Sequence, residues 1–147
     1  MRTYAIHIQG ILSISILLSA LVLSGCNGDS SPSATEIITK QLTANKWKIS
    51  TVLIDDVVQT SLFTNMMLSF TDTNYTTTNG GPVWPTTGTW TFVDNTGKKI
   101  KRNDNLEITI IEISDTALKI SLTWSKNIFG SGRISSVAGN HVFTFVK

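Results

Sequence analysis

The stretch LEITIIEISDTALKISLTW, residues 106–124, decides the fold class. In its first half Leu106, Ile108 and Ile110 alternate with Glu107 and Thr109. In its second half Leu118, Ile120, Leu122 and Trp124 alternate with Lys119, Ser121 and Thr123. Apolar residues at every second position belong to a strand with one buried face, because successive side chains point to opposite sides. The spacing therefore predicts two amphipathic strands, their even-numbered residues facing a core. Glu107 and Glu112, an odd number of positions apart, fall on opposite faces in this pattern.

The same period holds on either side. Trp47, Ile49 and Leu53 share one face against Lys48 and Ser50, Leu68 pairs with Phe70, and Trp90 and Phe92 stand opposite Thr89 and Thr91. A last run from His141 to Val146 puts Phe143 and Phe145 together. Turn-forming residues separate the runs: Asp55-Asp56, Asp72-Thr73-Asn74, Asn79-Gly80-Gly81, Asp94-Asn95-Thr96-Gly97 and Asn103-Asp104-Asn105. Residues 125–140 are less regular. About eight short strands joined by tight turns predict an all-β, antiparallel meander closing into a barrel. A two-sheet sandwich would give the same pattern. One helix precedes the strands, because Ser33-x-x-Glu36 has capping-box form and Ile37, Ile38 and Leu42 share a side before Asn45.

The first 25 residues have a different character. Arg2 is their one charge, and residues 11–23 form an apolar run interrupted only by serines. That run is shorter than the roughly 20 residues a spanning helix needs, so it reads as a cleaved export signal. Leu23-Ser24-Gly25-Cys26 resembles the lipobox of bacterial lipoproteins. The resemblance implies a diacylglyceryl thioether on Cys26, cleavage before it, and acylation of the new amino terminus. It implies attachment to the membrane through that lipid, and Asn27 in the next position implies sorting to the outer membrane of the cell envelope. Residues 26–34 then form a flexible tether of Gly, Asn, Ser and Asp, and 35–147 the barrel domain. A lipid-modified Cys26, the chain's one cysteine, leaves no thiol for a disulfide or a metal.

The strand residues carry a second resemblance. The run from Leu42 to Ile49 with Trp47, then Phe70 to Tyr75, then Gly88-Thr89-Trp90 and the 106–124 pair are similar to the lipocalin-like domains of bacterial lipoproteins, with Asn45 where Gly is usual. That implies a barrel able to hold a small apolar ligand.

Composition narrows the function classes. Loss of Arg2 with the signal leaves eleven basic residues against ten acidic ones, a net charge of +1, which argues against nucleic acid as a partner. Lys98, Lys99, Lys101 and Arg102 form the one basic cluster, read as a solvated edge strand, with a patch for anionic headgroups as the alternative. His141 is the one histidine beyond the signal, expected to face solvent or the barrel rim, so neither a metal site nor a nucleophile–base pair can be assembled from the motifs present. The reading is therefore of a protein without enzyme activity or cofactor. Trp47, Trp84, Trp90 and Trp124 are the candidate ligand-binding residues; their alternative role is core packing. Trp84, between Pro82 and Pro85, is expected in a loop, capping the barrel mouth or touching a partner. Two functions follow: a lipid-anchored barrel binding a small apolar molecule, or an envelope accessory that docks on another protein and keeps a packed interior.

Overall fold

The protein is described by a computed structural model covering residues 31–130 and 133–147, with side chains throughout except at 128–136. The signal segment 1–25, Cys26 and the first tether residues up to 30 lie outside the described residues.

Helix α1 (Ala34–Thr43) begins at the capping box: the Ser33 hydroxyl accepts from the Glu36 N–H, and the Glu36 carboxylate accepts from the Ser33 N–H at 2.7 Å. Among the described residues eleven strands follow: β1 (Lys46–Ile54), β2 (Val57–Val58), β3 (Met67–Phe70), β4 (Asn74–Thr78), β5 (Thr87–Phe92), β6 (Lys99–Arg102), β7 (Glu107–Ile113), β8 (Ala117–Trp124), β9 (Ile128–Gly130), β10 (Arg133–Ser136) and β11 (Gly139–Val146). A 3-10 helix (Thr60–Phe63) lies between β2 and β3.

Eight strands form a closed antiparallel barrel in the order β1-β3-β4-β5-β6-β7-β8-β11, and β11 pairs back onto β1. The barrel, not the sandwich, is the architecture, and it is lipocalin-like. The short β2 pairs with one end of β1, and β9 and β10 form a separate two-stranded antiparallel sheet within the less regular stretch 125–140. Asp55 and Asp56 both have positive φ (46° and 65°), as a two-residue turn between twisted strands requires.

Two bulges change which residues face inward. In β1 the pairing with β11 slips between Ile49 and Thr51, so Val52 and Ile54 are buried while Leu53 is only half-buried, contrary to its expected place beside Trp47 and Ile49. In β7 the slip lies between Ile110 and Glu112. The extra residue, Ile111, is half exposed, and Glu112 joins Glu107 in solvent rather than facing the opposite way. One unpaired residue reverses the parity of everything after it.

The helix meets the barrel at the end where β1 begins. Leu42 is fully buried, and Trp47 donates its indole N–H to the Leu42 carbonyl at 3.0 Å, satisfying one of the acceptors that a helix C-terminus leaves open. Gly97, at φ +72°, lets the β5–β6 turn approach the helix: a Cβ there would lie 2.9 Å from Ile38 Cγ1. Among the described residues no helix is long and apolar enough to cross a membrane.

Trp47→Phe keeps most of the apolar bulk but strands the Leu42 carbonyl. It is expected to lower the unfolding free energy by about 1–3 kcal/mol, read as a lower denaturant midpoint at unchanged slope.

Candidate functional site

The barrel interior is where the candidate tryptophans meet, and the residue that organises one end of it is Arg102. On β6, Ile100 and Arg102 are buried while Lys99 and Lys101 are exposed. The basic cluster is thus solvated at its lysines, as expected, but Arg102 is turned into the barrel with its side chain fully covered. Its Nε and Nη2 donate to the two carboxylate oxygens of Asp104, a two-pronged pair, and Nη1 donates to the Val83 carbonyl at 2.7 Å. The guanidinium lies 5.1 Å from the Trp84 ring and 5.8 Å from that of Tyr75, where the negative face of each ring attracts a cation.

Trp84 lies in a loop, as expected, and is buried there. Residues 79–86 join β4 to β5, but this loop folds inward, and Val83 and Trp84 are 0% and 1% exposed. The Thr77 hydroxyl donates to the Pro85 carbonyl, and the Trp84 backbone N–H to the Gly80 carbonyl at 3.1 Å. The Trp84 ring then stands edge-on to Tyr75 (5.6 Å) and to Phe143 (6.1 Å). Tyr75 in turn lies across Gly88, its partner in register. A Cβ at Gly88 would come within 2.6 Å of the phenol, so only glycine admits the ring there.

The expectation for His141 is corrected: it is fully buried rather than on the rim. Its ring stacks on Phe143 at 5.8 Å and meets Phe63 edge-on at 6.2 Å. Nδ1 lies 3.1 Å from the Gly139 carbonyl. Burial pushes the imidazole below its ordinary pKa, opposed by that carbonyl and by Asp55, so the ring is neutral near pH 7. Nearby groups move in keeping with their surroundings: the Arg102 guanidinium holds the Asp104 carboxyl below the usual range, and burial raises the Tyr75 phenol.

The other three tryptophans are buried too. Trp47 is tied to the helix as described, and Trp90 donates its indole N–H to the Thr71 and Asn74 carbonyls at 3.0 and 3.2 Å, with Phe70 and Phe92 edge-on to it. Trp124, at 9% exposed, has the Lys126 ammonium 5.8 Å from its ring. All four belong to one continuous apolar core with Phe63, Phe143 and Phe145. Among the described residues no three His, Cys, Asp or Glu side chains cluster to hold a metal. Cys26 lies outside the described residues.

Sequence reasoning missed Arg102, although a signal was present: period two from buried Ile100 points Arg102 inward. Compared with known proteins, the chain matches no family model, no curated sequence and no solved structure.

Asp104→Ala leaves the Arg102 charge buried and unpaired. It is expected to cost about 1–3 kcal/mol, less than for a fully enclosed pair because Asp104 remains half open to water. His141 sets the mild-acid behaviour. Below its ordinary pKa of 6.5 the unfolded chain takes up a proton that folded His141 resists, so stability falls with pH from there down to the depressed folded value. His141→Phe should flatten that slope in denaturant melts across this window. The Asp104 contribution, present above the ordinary carboxylate range, is lost only at lower pH, as its depressed pKa is crossed.

Proposed function

We propose that this is a lipid-anchored protein of the bacterial cell envelope, held at the outer membrane through acylated Cys26. Its barrel is a filled scaffold that presents loops and outer surface to a partner in the envelope. The observation that carries the filled interior is the contact set of Trp84: its ring is packed between Tyr75, Phe143 and the Arg102 guanidinium inside the barrel. A carrier of the same size would keep its aromatic side chains lining a space. Here the indole N–H groups of Trp47 and Trp90 are already committed to backbone carbonyls. The anchor is supported by Leu23-Ser24-Gly25-Cys26 at the end of the apolar run and by the polar residues after it. The reading involves no catalysis and no nucleic acid.

A second reading has one observation in its favour. Tyr75 Oη, Trp84 Nε1 and His141 Nε2 are buried without a hydrogen-bond partner, and each such group costs about 1–3 kcal/mol if left so. A small, mostly apolar molecule with a polar handle would satisfy one of them and return the barrel to the binding class.

Cys26→Ala is expected to abolish lipid labelling and release the protein from membranes; an unmodified Cys26 thiol in membrane-derived protein would refute the anchor. Trp84→Ala separates the two interior readings. In a filled barrel it should lower stability by about 3–5 kcal/mol, and the wild-type tryptophan fluorescence should not respond to fatty acids or other apolar probes. A saturable response, together with a small stability loss, would favour the ligand-binding barrel.

A further inference from the structure

At the helix end of the barrel lies an apolar groove of about 300 Å³, formed by Ala34, Ile37 and Ile38 of α1, the 96–98 turn and residues 110–113 of β7. It is a built feature. The β7 bulge turns Ile111 outward to 50% exposure, and Ile37 faces it from the helix at 45%. Gly97 allows the turn to press against Ile38, and Asp94 stiffens that turn by accepting from the N–H and hydroxyl of Thr96. Val93 and Val146, at 43% and 41% exposed, stand at the same end of their strands. Isolated exposed aliphatic residues need no explanation, but Ile37 and Ile111 line one groove together with Ile38 and Ile113.

What covers it is indicated by where the chain leaves the domain. The groove begins at Ala34, the first residue of α1, and the seven residues 27–33 connect that point to Cys26. At full extension the link from Cys26 to Ala34 reaches at most about 28 Å. Resting on the lipid-anchor reading, we infer that this groove is the face the domain lays on the bilayer, with Ile37 and Ile111 seated at the boundary between headgroups and acyl chains. The charges lining it, Lys98 and Glu112, are of opposite sign, so the contact is apolar and does not select anionic lipid. The tether holds the domain beside the membrane, so a small apolar face suffices to fix its orientation. The bulged residue and the helix residue supply that face at the anchored end, while the β1–β2 turn with Val57 and Val58, the most exposed valines, stands at the opposite end of β1.

The test uses full-length lipoprotein processed and acylated in a bacterial host, then reconstituted alone into vesicles of phosphatidylcholine or of phosphatidylcholine with phosphatidylglycerol. With Cys26 acylated, Ile111→Cys, Ile37→Cys and Val58→Cys each carry one free thiol for a nitroxide label, and mass spectrometry of the Cys26 peptide is run on the same samples. Labels at 111 and 37 should show a several-fold higher ratio of oxygen to nickel-chelate accessibility than the label at 58, alike in both vesicle types. Labels at 111 and 37 as open to nickel as that at 58, on acylated protein, would overturn the membrane-facing groove and leave the anchor standing. Shielding of both from oxygen and nickel together would mean a second copy covers the groove, and also overturns it. An unmodified Cys26 would remove the anchor reading and this inference with it. Agreement between the labels at 111 and 37 guards against a local distortion at either site.

Discussion

The pairing of β11 with β1 is the constraint on which the rest of this molecule depends. A sheet of short strands left open would expose two edges; closing it removes both and fixes an interior of limited width. Once closed, every inward side chain must fit with those across the barrel, and the aromatic rings of β4, β5 and β11 set that fit. Phe143 stacks on Phe145 and His141 while meeting Phe63 and Trp84 edge-on, so one side chain bridges the wall, the 3-10 helix and the inserted loop. The bulge at Ser50 belongs to the same closure, since it brings Val52 and Ile54 inward opposite the upper part of β11.

A buried arginine in such a small barrel requires compensation, because an ammonium or guanidinium taken from water loses several kcal/mol of solvation. Arg102 recovers it from three directions: a carboxylate on its own hairpin, a backbone carbonyl of the inserted loop, and two aromatic faces. The pairing with Asp104 is local, two residues away, and forms with the β6–β7 turn. The contacts with Val83 and Trp84 are distant in sequence and fold the 79–86 loop into the barrel. Arg102 thereby converts a polar, glycine-rich and proline-rich loop into part of the core. This is a specific way of stopping a barrel mouth, and it differs from filling it with aliphatic side chains because the stopper is held by directional bonds.

Much of this architecture was legible in the sequence, and the exceptions have physical causes. Alternation from Trp47 to Val146 and the turn residues between runs gave the strands, and Ser33 with Glu36 gave the helix start. The inward face of β8, Leu118, Ile120, Leu122 and Trp124, follows period two without interruption. Bulges did not show, because a single unpaired residue leaves no compositional mark; Leu53 and Glu112 were assigned to the wrong faces for that reason. For Trp84 the loop was legible and the burial was not: Gly80, Gly81, Pro82 and Pro85 describe only the local backbone, whereas its burial is decided by Arg102 and Tyr75. His141 was assigned to the rim from its neighbour Asn140, yet its register opposite Leu122 and Ile54 places it inside. Arg102 was hidden by its company of lysines, although its parity with Ile100 was present to be read.

The two ends of the barrel are held by different contacts. At the end where β1 begins, the helix, the Gly97 turn and the β7 bulge leave aliphatic residues on the outside and tie the helix down through Trp47. At the other end, Asp55 accepts from the Asn140 N–H and Asp104 faces water beside Arg102, while Val57 and Val58 stand exposed beyond the β1–β2 turn. On the proposed anchor at Cys26, a link of at most about 28 Å to Ala34 keeps the start of α1 close to the bilayer. On that proposal the exposed Ile37 and Ile111, which line one groove with Ala34, lie where the tether joins the domain. The bulge that places Ile111 outside thus has a consequence beyond register: it adds an isoleucine to the groove beside the helix.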